Sequence, residues 1–179
     1  MIPKHIPQCI DGQLCMLRRI RMDDVTPFYR YVSDDESVQY MFFEDAQRTA
    51  EGARGLVEAV CVSYDTDEPA CILAIADPET GEYMGNLGAQ SIADNQTELF
   101  YALLPEHRGK GYATDAVKTF VHWLFAEGVP SVVAFIIPAN VASLRVMQRL
   151  NAVLIGDAEL HGHPALRYDI TPNMLDVGS

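Results

Sequence analysis

Between residues 112 and 127 apolar side chains recur at 113, 116, 117, 120, 121 and 124, the spacing of one buried face of an α-helix. Gly128 and Pro130 supply its stop. The run 132–137 then reads as a buried strand, and Asn140 is placed to cap a second helix whose apolar positions are 141, 144, 147 and 150. Upstream, 70–76 is a continuous apolar run, Asp77-Pro78-Glu79-Thr80-Gly81 a turn, and 82–91 the return strand of a hairpin. Residues 97–104 form a further strand, closed by Pro105. Near the start, Asp11-Gly12 marks a turn before a strand at 13–19, and Asp23 and Asp24 open a helix toward Val32. Short helices are expected over 34–41 and 49–63, the latter weakened by Gly52 and Gly55. Strands near 153–156 and 165–170 close the chain. The order β, three α, β, β, β, α, β, α, β, β combines antiparallel hairpins with at least one parallel crossover, in one continuous domain over 1–179.

Charge narrows the possible partners. Thirteen Lys and Arg against twenty-five Asp and Glu give a net −12, which repels nucleic acid and anionic lipid. No apolar run approaches a membrane span, and residues 1–8 lack the apolar stretch of a signal peptide, so a cytoplasmic location is expected. Cys9, Cys15, Cys61 and Cys71 stand singly, without the paired spacing of a zinc site, and read as incidental or buried thiols. Asn95-Gln96-Thr97 spells a glycosylation sequon, which carries no weight without secretion.

The chemistry concentrates at Pro105-Glu106-His107-Arg108-Gly109-Lys110-Gly111-Tyr112-Ala113, a glycine-rich loop between a strand and a helix start. Glycines let backbone N–H groups converge, and the helix N-terminus adds positive potential, so such a loop suits a phosphate. Arg108 and Lys110 strengthen that reading; the plain alternative is a tight turn carrying two solvated cations. Position 114 is Thr, which breaks the dinucleotide fingerprint, and the spacing also fails the P-loop pattern.

What does fit is Arg-x-x-Gly-x-Ala at Arg108, Gly111 and Ala113, then a helix, a buried strand and Asn140-x-x-Ser143 opening the next helix. This resembles the GNAT superfamily of acyl-CoA-dependent N-acetyltransferases. Glu98 and the run Asn-x-x-Ser-x-x-Val-Met-x-Arg-Leu at 140–150 look most like the branch containing the ribosomal-protein N-terminal acetyltransferases RimJ and RimL. The element order agrees over nearly the whole chain, and the specific motifs cover about 97–151. The resemblance implies an α+β fold with a mixed, mainly antiparallel sheet, flanking helices, and an acyl-CoA cleft where two parallel strands splay apart. It also implies the roles. Backbone groups of Arg108, Gly109, Lys110, Gly111, Tyr112 and Ala113 would take the pyrophosphate of acetyl-CoA, and Leu103 and Asn140 the pantetheine arm. Two departures stand out: the last helix ends Leu150-Asn151-Ala152 where the family has Leu-Gly-Phe, and Phe100 stands where the branch often has Gly. Asn tolerates the left-handed conformation a helix end requires, and Phe100 bears on the space near the reacting amine.

Acetyl transfer from a thioester to an amine needs a neutral amine, a stabilised oxyanion and a protonated leaving thiol. By resemblance Glu98 is the candidate base, acting through water, and Ser143 the candidate acid; a solvated strand-end carboxylate and a helix first-turn hydroxyl are the structural alternatives. The oxyanion would meet a backbone N–H of 101–103. The close pair His161-Gly162-His163 has no third ligand spaced with it, and these residues and His107, beside the loop, are expected at solvent-exposed turns, with no metal. Residues 22–68 hold twelve acidic and three basic residues, net −9, whereas 103–150 carry net +2. A polyanionic cofactor suits the second segment and a cationic amine acceptor, such as a basic protein N-terminus, the first; soluble acidic helix faces would give the same count. The acceptor could equally be a small amine, and an acyl-CoA sensor without turnover would keep the same loop.

Overall fold

The computed structural model describes residues 2–93 and 96–172; Asn95 of the sequon lies outside them. Eight strands, β1 (Cys9–Asp11), β2 (Met16–Arg18), β3 (Ile72–Ala76), β4 (Tyr83–Ser91), β5 (Thr97–Leu103), β6 (Val132–Ile136), β7 (Val153–Leu160) and β8 (His163–Ile170), form one sheet. Its order is β1-β2-β3-β4-β5-β6-β8-β7. Every pairing is antiparallel except β5 with β6. The α+β architecture expected from the sequence is therefore present, with a single parallel contact at its centre.

Both faces of the sheet are covered. Against one lie α4 (Tyr112–Ala126) and α5 (Val141–Arg149), where Phe120, Leu124 and Met147 pack on Leu73, Leu87 and Leu99. Against the other lie α1 (Val25–Val32) and α3 (Ala50–Ser63), with Phe28, Val32 and Val57 on Ala74 and Tyr83. The α3 helix runs unbroken through Gly52 and Gly55, held at its start by the Thr49 hydroxyl, which accepts from Gly52 N–H at 3.0 Å. Among the described residues no helix is long and apolar enough to cross a membrane. All four cysteines are unpaired, and burial pushes the Cys15 and Cys71 thiols up to about 12, which keeps them as inert core thiols.

Three boundaries differ from the sequence expectation. The strand at 13–19 becomes a short hairpin, β1 and β2, whose turn is closed by Gly12 N–H to Cys15 C=O at 2.9 Å; three-residue strands leave little alternation to read. The helix over 34–41 contracts to α2 (Asp35–Val38), because the following segment is drawn onto the sheet and beside Phe28 and Tyr31, where Phe43 packs edge-on. The closing strands lengthen into a hairpin joined by His161 and Gly162, both at positive φ, as a tight two-residue turn demands. β7 is an edge strand with Val153, Leu154 and Ile155 exposed, so its pattern carries no core face. At the α5 end, Asn151 adopts φ 54° and Ala152 N–H reaches back to Met147 C=O at 3.0 Å, so the Asn keeps the helix stop that Gly would supply.

One buried ion pair joins the layers. Arg18 on β2 makes two hydrogen bonds of 2.8 Å to Asp24, both side chains at most 7% exposed, while its Nε donates to Gly81 C=O at 3.0 Å. Asp24 also accepts from Arg21 N–H at 2.8 Å. Removing one partner leaves a charge buried without its counter-charge. Asp24→Asn should accordingly lower stability by about 3–5 kcal/mol in urea titration, with an unchanged denaturant slope. A loss no larger than that of an exposed pair would show that Arg18 is held by its carbonyl partners alone.

Candidate functional site

The parallel contact between β5 and β6 is confined to Thr97 with Val132 and Glu98 with Val133, after which the strands separate. Leu104 N–H donates to Met84 C=O at 2.9 Å, and alternation along an antiparallel ladder then turns the amide and carbonyl groups of Tyr101 and Leu103 away from β4, toward the gap. The gap opens into a cleft of two connected cavities, of about 390 and about 210 Å³. Tyr40, Met41, Tyr101, Asn140 and Ser143 line both and form the junction.

The larger cavity is bounded by the glycine-rich loop. Pro105–His107 makes one 3₁₀ turn; Gly109 follows at φ 74° and Gly111 at φ 90° as the residue before α4. A side chain at Gly111 would be strained by that φ, and its Cβ would come within 3.2 Å of Leu14. The Arg108 guanidinium ties the loop down, donating to Leu103 C=O at 3.0 Å and to the Ser37 hydroxyl at 2.9 Å, while its own N–H goes to Pro105 C=O at 3.2 Å. Arg108, Gly109, Gly111, Tyr112 and Ala113 line this cavity together with Leu103 and Asn140; Lys110 is exposed outside it. Asp115 anchors the same helix end: its carboxylate accepts from the N–H groups of Gln13, Leu14 and Cys15 at 3.1, 2.8 and 3.1 Å.

The residues present fit a phosphate-bearing, amide-rich ligand. Beyond the first amides of α4, which a helix leaves without internal partners, the hydroxyls of Tyr31 and Thr114 are buried without a hydrogen-bond partner, and both line the larger cavity. Burial holds the Tyr31 phenol above its ordinary range, with the Arg108 charge opposing, so it remains a proton donor. Thr114 follows the loop directly in sequence, whereas only the fold brings Tyr31 to it.

The smaller cavity contains Glu98, half-buried and accepting from Gln90 Nε2 at 2.8 Å. Ser143 stands at the junction with Asn140, whose Oδ1 accepts from Ser143 N–H at 3.1 Å, which leaves the Asn140 amide NH₂ for a ligand. The cap and the binding role are thus compatible. Tyr101, at the same junction, directs its hydroxyl at Ser143 C=O at 3.5 Å, and burial pushes its phenol up to about 12. The site residues proposed from sequence line the two halves of one cleft, with Lys110 alone outside. His107 lines neither cavity, and His161 and His163 stack on Phe42. Among the described residues no three His, Cys, Asp or Glu side chains cluster as a metal would require.

The profile of the acetyltransferase (GNAT) domain matches residues 15–153. The chain is 25% identical over 138 residues to the uncharacterized N-acetyltransferase YoaA of Bacillus subtilis, covering 75% of this chain and 77% of that one. In fold it is similar to Mycobacterium smegmatis RimJ in complex with CoA-disulfide, with a TM-score of 0.76 and 18% identity over 98% of this chain and 92% of that one. It is also similar to the ribosomal-protein-S5-alanine acetyltransferase from Vibrio fischeri, with a TM-score of 0.72 and 18% identity over 91% and 96% of the two chains.

Acetyl-CoA at saturation should raise the melting temperature of the wild type, whereas NAD and ATP should shift it weakly or not at all. Gly111→Val should abolish that shift while leaving the unliganded chain folded. An unmoved wild-type melting curve would overturn the assignment of the cavity.

Proposed function

The chain belongs to the GNAT acetyltransferase family and is an N-acetyltransferase, and from that premise we propose that it moves the acetyl group of acetyl-CoA directly to the α-amine of a peptide or protein N-terminus. The observation that carries this reading is the two-part cleft. A cradle for a polyanion and an amide edge fill one half, a carboxylate marks the other, and Ser143 stands where they meet.

In the proposed reaction the amine nitrogen attacks the thioester carbonyl, a C–N bond forms and the C–S bond breaks. Glu98, through water, receives the proton the amine loses; Ser143 supplies one to the departing sulfur and regains it from solvent. The Tyr101 amide, turned toward the gap, donates to the developing oxyanion. Backbone groups of Arg108, Gly109, Gly111, Tyr112 and Ala113 hold the pyrophosphate, with Leu103 and Asn140 on the pantetheine, and Lys110 takes no part. A peptide α-amine has an unperturbed pKa of about 7.7–8.0 against about 10.4 for lysine, so it is far more often neutral near pH 7 and asks less of the base. The ribosomal-protein acetyltransferases among the similar folds point the same way. A cytoplasmic location suits the free thiols and the cosubstrate. The modest volume of the smaller cavity favours a second reading, a small-molecule amine.

Ser143→Ala should lower turnover by roughly 10²-fold with little loss of acetyl-CoA affinity. Glu98→Gln should behave similarly near neutral pH and recover at high pH, where more amine is already neutral. Full turnover in both variants would leave the two residues with structural roles only.

The acidic segment 22–68, net −9, should speed capture of acceptors that carry positive charge beyond the first residue. For peptides differing only in that charge, kcat/KM of the cationic one should fall between 0.1 and 1 M salt, as the Debye length shortens from about 10 to about 3 Å, while the neutral one barely changes. Equal rates at low salt would reduce the acidic face to a solubility role.

A further inference from the structure

The smaller cavity is walled by apolar rings and side chains and roofed by a strap that is pinned along its length. The segment following α2 is tied by the Tyr40 hydroxyl, which donates to Ala139 C=O at 3.1 Å. Phe42 is sandwiched against the β7–β8 turn, its ring centroid 4.6 Å from that of His161 and 5.3 Å from that of His163. Phe43 is held between Phe28 and Tyr31. This explains an aromatic residue as exposed as Phe42, at 41%: it closes the outer wall rather than joining a core. The floor is Phe100, whose ring lies so close over Gly88 that a Cβ there would approach Phe100 Cζ to 2.6 Å. Phe135 and Leu160 add to the apolar lining of this half-open cavity. About 210 Å³ remains free inside, below the roughly 300–1,000 Å³ of ordinary ligand pockets and far more than a methyl group fills.

Charge restricts the occupant further. The ionisable residues lining this half, beyond the junction tyrosines, are Glu98 and His161, with no Lys or Arg. A free amino acid would bring its α-carboxylate beside Glu98 without a cation to pair it, and burying an unpaired charge is costly. A peptide or amide has no such charge.

We propose that the acceptor is a peptide α-amine whose first residue carries a bulky apolar side chain, Leu or Phe in class, held between Phe42 and Phe100 with its amine toward Glu98. The proposal rests on the reading of the acceptor as a peptide N-terminus. An alanine or serine first residue would leave the apolar walls facing water or void, whereas a large side chain covers them.

The test is kcat/KM for peptides identical except at the first residue, with Leu, Phe, Ala and Asp compared, alongside leucinamide against free leucine. Leu-first and Phe-first peptides should exceed the Ala-first peptide by at least about tenfold, the discrimination that apolar pockets reach. The Asp-first peptide should be slowest, and leucinamide should exceed leucine by a similar factor. Phe42→Ala, at an exposed position, should reduce the Leu-to-Ala ratio severalfold while the thermal shift given by acetyl-CoA persists. An Ala-first peptide as good as a Leu-first one would overturn the proposal while leaving the N-terminal reading intact. Acetylation of a small diamine with no peptide or amide accepted would overturn that reading and the preference together.

Discussion

Everything functional in this molecule depends on the parting of β5 from β6 beyond Glu98 and Val133. Had the parallel ladder continued, the amide and carbonyl groups of Tyr101 and Leu103 would be satisfied inside the sheet. Separated, they form a strand edge in the middle of a domain; Arg108 takes the Leu103 carbonyl, and the remaining backbone groups cost free energy if withdrawn from water without partners. Such an edge is stable if it stays wet or receives an extended ligand with its own amide groups. The pantetheine arm of coenzyme A is a ligand of that kind, and in the reading proposed above the fold's largest irregularity is the surface that takes it.

Keeping the strands apart falls to contacts far apart in sequence. Asp115 binds three consecutive amides of the β1–β2 turn and so fixes where α4 begins. Arg108 joins the end of β5 to α2 through Leu103 and Ser37, which holds the loop against the strap side of the cleft. Asn140 starts α5 on the far wall. None of these groups needs to touch a ligand to matter, because a shift in any of them would let the gap relax toward ordinary pairing or close over its own edge. The buried Arg18–Asp24 pair fastens the start of α1 to β2 and to the β3–β4 turn.

The sequence revealed what local chemistry controls. The α4 face, the Asn140 cap, the positive-φ glycines of the loop and the left-handed Asn151 are each written in a few neighbouring residues, and each stands where its pattern places it. The splay came from resemblance and the strand order only from the structure, since no periodicity encodes which strand edges pair and which are left open. Asp115 drew no attention in the sequence, because its three partners lie about a hundred residues away. Tyr31, and Thr114 as a hydroxyl toward the cavity, stand out only as buried groups lacking partners, a property of packing and not of spacing. Phe42 lies just past the short helix expected over 34–41, and its pairing with a hairpin turn at the other end of the chain had no local signal.

The acidic half also changes meaning once placed in space. Of the acidic residues in 22–68, Asp24 is buried against Arg18, Glu36 reaches the edge of the larger cavity, and the others are exposed on the α1–α3 side. Their field therefore acts across solvent, where it can raise the encounter rate of a cationic chain but cannot tell one first residue from another. In the reading proposed above, discrimination comes from what touches the acceptor's end in the smaller cavity, where aromatic and aliphatic side chains stand beside the polar groups of Gln90, Glu98, Asn140 and Ser143. Capture by long-range charge and selection by apolar fit are thus carried by different residues, so that salt should weaken the first without altering the second.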